Sequence, residues 1–295
     1  MIICNELKET TRNNPNSPAV KMTNFTIDIV SDPVCPWVSK PAPFPHIPYT
    51  FHAKHIYLSL TSPKCYIGKR RLDKAIALYQ KVYPSGRQDT FTVNWKAYYL
   101  DSTAPAKGIS WDERLLQKLA STKSKSNPDL TATDEDNKAV AQQLKTRLAT
   151  IGRQEGIQFS FQGKIGNTRS AHRAIAFSKT HPNLEIEPVR QVQDCFVTAL
   201  FEAYFEGDID ITSHEALADV AASVGLDRAE MLTWLDSGEG GEEVDEEDRA
   251  ARARGIEGVP CFTVQGVNVD GAQDVQDLME MFIKVKEEEQ EQKQI

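Results

Sequence analysis

Two short stretches decide the reading of this chain: "CPWVSK" (Cys35–Lys40) and "KCYIGKRR" (Lys64–Arg71). Each reads as half of one motif. Joined across the residues between them, they spell a Cys-Pro-Trp-Cys pair that opens a helix. Upstream, "FTIDIV" (Phe25–Val30) alternates and is rich in β-branched residues, which predicts a strand, with "SDPVCPW" as the turn at its end. Downstream, apolar residues at Ile67, Leu72, Ile76 and Tyr79 form a helical stripe, and "DTFTVNWKAYYL" (Asp89–Leu100) predicts a second strand. This is a β-α-β unit with a segment, Val38–Lys64, driven through it.

The physical case for the pair is direct. A thiol at a helix N-terminus faces unpaired backbone N–H groups and the positive end of the helix dipole, so its thiolate is favoured. A second thiol one turn on can resolve a mixed disulfide. A second marker is "GVP" (Gly258–Pro260) ahead of a short strand. A cis proline there would turn the Val259 backbone toward the thiols, where it could pair with an extended substrate.

Between these ends the chain is helical. "WDERLLQKLA", "DEDNKAVAQQLKTRLATIGRQEG", "NTRSAHRAIAFSKTH", "PVRQVQDCFVTALFEAYFEG", "SHEALADVAASVGL", "DRAEMLTWLDSG" and "EVDEEDRAARARG" each predict a helix. Asp134, Asn167 and Ser213 are the expected caps, and Gly156, Gly207 and Gly225 the expected stops. "GVPCFTVQG" and "VNVDGAQ" then predict two strands around a turn, and "DVQDLMEMFIKVKEEE" a last helix. The order β-α-β, helical block, β-β-α predicts an α/β protein: a thioredoxin-like fold with an inserted helical domain. Its expected parts are a loose N-terminus (1–23), a thioredoxin-like domain from 24–101 and 255–287 with an irregular insert at 38–64, a helical insertion domain at 102–254, and a charged tail at 288–295. Met22 is a candidate natural start.

The 295 residues suffice for one large domain or two interleaved ones. The net charge of −8 argues against nucleic acid as a partner. Five cysteines, sparse and odd in number, do not make a secreted disulfide framework. No apolar run approaches the ~18 residues of a membrane span, and the N-terminus does not read as a signal peptide. The expectation is a soluble protein of the cytoplasm.

"FTIDIVSDPVCPW", "CYIGKRRLDKAI", "GNTRSAHRAI", "LFEAYFEGDIDITSHEALADVAASVGLD", "GIEGVPCFTVQG" and "DGAQ" together resemble the FrnE-type branch of the DsbA-like thioredoxin-fold proteins. The resemblance covers residues 25–37 and 65–285. It implies a thiol–disulfide oxidoreductase in which Cys35 attacks, Cys65 resolves and Pro260 is the cis-proline. It implies no metal or nucleotide cofactor, with glutathione a possible reductant or co-substrate. Partners would be disulfide-containing proteins or small thiols. Val259, Trp37, Asn167 and His172 are the further substrate-binding candidates. The family's contiguous motif is broken here, so the form as written is expected to be impaired.

The Val38–Lys64 segment differs in composition from the acidic chain around it. Its 27 residues hold five prolines, three histidines and no acidic residue. Its ends can be encoded as splice donor and acceptor, and its length keeps the frame, so a retained intron is the expected origin. A genuine loop is the alternative, though one of this length is uncommon in a compact β-α turn. His46, His52 and His55 with the two cysteines would suit zinc, but the prolines argue against a fixed scaffold. Cys261, beside Pro260, is either a third thiol near the pair or a small buried residue, the latter favoured. Cys195 reads as core and Cys4 as inert. Lys69, Arg70 and Arg71 read as a basic face near the thiols or as solvated surface. Asn167, His172 and Arg173 either line a groove or serve as a cap and a satisfied junction. Two other functions remain open: a glutathione-dependent isomerase or transferase, which needs no Cys35–Cys65 disulfide, and an inactive binding module.

Overall fold

A computed structural model of the chain describes residues 22–35, 64–126, 134–181, 191–271 and 273–291. The first strand, β1 (Asn24–Ser31), buries every second side chain and then, at its end, three in a row. It is followed by helix α1 (Lys64–Val82) and strand β2 (Thr90–Ala97). β1 and β2 pair in parallel, which requires a crossover, and α1 supplies it. Strands β5 (Cys261–Val264) and β6 (Val267–Asp270) close the sheet in the order β2-β1-β5-β6, with β5 antiparallel to both neighbours. Their two-residue turn puts Gln265 at φ 47° and Gly266 at φ 84°, the left-handed pair that matches strand twist in a tight hairpin. The final helix, α9 (Val275–Glu291), packs beside α1 on one face of the sheet. Between them Phe25, Tyr79, Phe91 and Phe282 form an aromatic cluster with centroids 4.7–5.9 Å apart.

The helical block packs against α1 and along the β2 side of the sheet. It comprises α2 (Trp111–Ser126), α3 (Asp134–Glu155), α4 (Arg169–Lys179), α5 (Val192–Phe205), α6 (His214–Ser223), α7 (Arg228–Ser237) and α8 (Gly241–Ala253). All seven helices lie where periodicity predicts them. A two-stranded ribbon, β3 (Ile109–Ser110) with β4 (Lys164–Ile165), is an addition. Of the expected caps, Ser213 accepts the Ala216 N–H as foreseen. Asp134 is already helical, and Asn167 lies one residue before the cap position yet still bonds the Arg169 N–H at 2.9 Å. After α5 the left-handed residue is Asp208 rather than Gly207.

The helical block also seals one sheet edge. The outward N–H groups of Val93, Trp95, Ala97 and Tyr99 on and just beyond β2 are taken in turn by Gln191, Gln193, Glu247 and Asp248, at 2.7–3.1 Å. An open strand edge invites another strand, and these four side chains remove the invitation. On the α1 side, the Tyr66 ring stacks on Phe201 and Phe205 of α5, and its hydroxyl donates to Glu206 at 2.6 Å. Helix α1 is thus fastened to the inserted helices as well as to the sheet. No helix among the described residues is long and apolar enough to cross a membrane.

Candidate active site

The turn after β1 is built on Asp32. Its carboxylate accepts the Val34 N–H at 3.3 Å and the Leu100 N–H at 2.8 Å, tying the turn to the end of β2. The Cys35 N–H in turn donates to the Asp32 carbonyl at 3.0 Å. This places Cys35 beside the first turn of α1, where Cys65 is the second residue. The Cys35 thiol reaches the Val259 carbonyl at 3.5 Å and also engages Cys65, through that residue's thiol and backbone N–H. The Val259–Pro260 bond is cis. Gly68 explains how α1 comes so near: a Cβ there would meet the Phe262 ring at 3.1 Å and the Pro260 ring at 3.4 Å. The residues expected as attacking thiol, resolving thiol and cis-proline therefore meet in one place. Both cysteines are free thiols.

Its surroundings hold the Cys35 thiol toward the protonated form. Cys35 and Cys65 are 0% and 1% exposed. Burial pushes the Cys35 thiol well above its ordinary value, and the neighbouring Cys65 thiol and the Asp32 charge add to that. The Cys65 N–H acts the other way, as a helix terminus should. Asp32 is itself raised to about 7 by burial, against the pull of its two backbone donors and the Thr168 hydroxyl. His172 Nε2 stands 3.9 Å from the Asp32 carboxylate. It is not an ion-pair partner at neutral pH, because burial lowers His172 to about 4. Its Nε2 sits 3.2 Å from the Tyr98 carbonyl, an acceptor only, so the neutral ring carries its hydrogen there.

Several expectations change here. His172 does not line an open groove; it is 3% exposed and satisfied at the junction of α4 and β2. Asn167 is spent on the α4 terminus. Arg173 donates to the Trp234, Leu235 and Glu239 carbonyls at 2.6–3.0 Å and so closes the C-terminal end of α7. Lys69 is not part of a basic face: its ammonium is buried and held by Asp73 and Asp194 at 2.6 and 2.7 Å, with Trp95 Nε1 on the other Asp194 oxygen. Arg70 and Arg71 do stay at the surface, bonded to Gly156, Glu155 and Gln273. Cys261 is buried on β5. Phe262 points at α1, so Cys261, one residue earlier, faces the opposite side of the sheet from the helix carrying Cys65. Cys195 is only partly buried. Trp37, Cys4, the three insert histidines and the insert itself up to Pro63 lie outside the described residues; Lys64 is the first residue of α1. Asp32 was not singled out by sequence, since a lone Asp before a proline looks like an ordinary turn residue.

The comparisons with known proteins bear on the family and the fold. The DSBA-like thioredoxin domain family matches residues 55–282, a span that includes Cys65 and Pro260 and begins after Cys35. No curated protein sequence matches. Among solved structures, a probable DsbA oxidoreductase from Streptomyces coelicolor superposes with a TM-score of 0.59 at 20% identity, covering 88% of this chain and 89% of its own. A putative protein disulfide isomerase from Nitrosomonas europaea gives 0.53 at 14% identity, covering 88% and 97%. A 2-hydroxychromene-2-carboxylate isomerase gives 0.51 at 18% identity, covering 91% and 97%. These likenesses are of fold. With the family match across most of its length, the chain belongs to the DSBA-like thioredoxin domain family and has the thioredoxin-like α/β fold with inserted helices.

Proposed function

We propose that the protein is a dithiol–disulfide oxidoreductase working through Cys35 and Cys65. The observation that carries this is the position of the Cys35 sulfur between the Cys65 thiol and the Val259 carbonyl, beside the first turn of α1. The Cys35 thiolate attacks one sulfur of a substrate disulfide and expels the other as a thiolate. The Cys65 thiolate then attacks Cys35, releases the second substrate sulfur and leaves a Cys35–Cys65 disulfide. Two electrons pass to the substrate. The backbone at Val259 and Pro260 orients the partner. Substrates are disulfide-bearing proteins or small thiols, glutathione is the recycling reductant, and the setting is the cytoplasm. On its quoted motifs we place the chain in the FrnE-type branch.

Exchange in this form is slow. Both thiols are buried and Cys35 is held toward the neutral thiol, so little thiolate meets a substrate at neutral pH. The Val38–Lys64 segment, which we assign to an unspliced intron, interrupts the motif at this point. Insulin reduction by the full chain, by C35S and by a Val38–Lys64 deletion tests the reading. The deletion is expected to be the fastest and C35S inactive. A C35S variant as active as its parent contradicts the thiol pair; equal rates for chain and deletion contradict the impairment. Transcripts that all retain the segment contradict its intronic origin.

A further inference from the structure

The motif "GNTRSAHR" contains a residue that the thiol chemistry does not use. Ser170 Oγ lies 3.1 Å from His214 Nε2, and His214 Nδ1 lies 2.7 Å from Asp236 Oδ1. The three side chains come from three mutually packed helices: the first turn of α4, the first residue of α6 and the last turn of α7. The chain order Ser, His, Asp says nothing by itself, because such constellations are recognised by geometry and roles. We propose that Ser170, His214 and Asp236 form a second nucleophilic centre, one that hydrolyses short-chain activated acyl esters.

The chemistry follows from the contacts. A carboxylate can only accept, so Asp236 fixes the hydrogen of the neutral ring on Nδ1. The Nε2 lone pair then faces Ser170 and accepts its hydroxyl hydrogen. As Oγ bonds to the acyl carbon, its proton passes to Nε2. Collapse of the tetrahedral adduct breaks the ester bond, and the leaving alkoxide takes that proton. Water repeats the sequence on acyl-Ser170, with His214 again taking and returning a proton, and releases a carboxylic acid. Ser170 sits where helix N–H groups have no intrahelical acceptor, which favours the developing oxyanion. The Arg169 N–H is not available for this, being bonded to Asn167, and the Arg169 guanidinium is bound to Asp245. The His214 and Asp236 side chains are 30% and 71% exposed, so the centre is open and shallow. That limits it to small acyl groups, and water screening of Asp236 limits its rate. The centre is independent of Cys35 and Cys65.

The test uses the full chain carrying C35S and C65S, which removes the paired thiols as competing nucleophiles. It is treated with an alkyl fluorophosphonate, and the adduct is located by peptide mass mapping. The adduct is expected on Ser170, and p-nitrophenyl acetate hydrolysis is expected to fall when S170A is added. His214→Gln is expected to slow labelling about 100-fold, the smaller end of general-base effects, with far-UV circular dichroism unchanged. Absence of an adduct on Ser170, or labelling of Ser170 at an unchanged rate in His214→Gln, overturns the proposal; in that case the three residues are only a clasp between helices.

Discussion

Strand β1 runs between two buried carboxylates that are treated in opposite ways. At its N-terminal end Asp89 accepts the Thr23 N–H at 2.7 Å, the Tyr79 hydroxyl at 2.8 Å and the Lys286 ammonium at 2.6 Å, and the side chains of that ion pair are 0% exposed. At the C-terminal end Asp32 has two backbone donors and the Thr168 hydroxyl, and no charged partner among the described residues. The nearby imidazole is neutral, and the Tyr204 hydroxyl, which also feels the Asp32 charge, has no hydrogen-bond partner among the described residues. One end is a matched charge pair locking α9 to the sheet. The other is a carboxyl group that keeps its proton up to about pH 7 beside two thiols. A charge that only holds the fold is neutralised in place; the one next to the reactive sulfurs is left uncompensated.

The largest effect should come from breaking the matched end. Lys286→Met leaves Asp89 buried without its cation and should cost about 3–5 kcal/mol, read as a lower urea midpoint. A loss under about 1 kcal/mol would mean that the two ends do not differ in the way described.

The unmatched end should show itself in pH dependence. Between about pH 4 and 7 the folded state holds a proton on Asp32 that the unfolded chain has lost, so this group alone makes stability fall as pH rises. Between about pH 4 and 6.5 the unfolded chain holds a proton on His172 that the folded state excludes, so this group alone makes stability rise with pH. The two contributions oppose each other across their common window. His172→Gln should uncover the falling slope and Asp32→Asn the rising one, each measured by chemical denaturation at several pH values. Parallel slopes in the two variants would contradict the assignment.

A smaller effect sharpens the contrast between satisfied and unsatisfied backbone. Gln193→Ala strands the buried Trp95 N–H on the β2 edge and should cost about 1–3 kcal/mol. Ser213→Ala removes one helix cap and should cost about 1 kcal/mol. Thermal melts of both check the order.

The contrast also marks what could be read from the chain. Alternation located β1, and helical periodicity the main α-helices, because each buries one face over many residues, whereas the four-residue strands β5 and β6 were legible from the Gln265–Gly266 turn between them. The Cys35, Cys65 and Pro260 constellation was legible as a motif because every member sits at the end of a recognisable element. The β3–β4 ribbon was not, since two residues per strand carry no period. Lys69 was misread because a lysine beside two arginines looks solvated; only the fold brings Asp194 to it from α5. The edge-sealing role of Gln191, Gln193, Glu247 and Asp248 is equally invisible, since it exists only once the helical block lies against β2. Asp32 and His172 take their properties from burial, which residue type does not announce.

The most direct measurement is mild oxidation of the purified chain followed by non-reducing peptide mass mapping. A single new disulfide joining Cys35 to Cys65 is the result expected from their contact at the start of α1. Recovery of both as free thiols, or pairing of Cys35 with Cys195 or Cys261 instead, would contradict it.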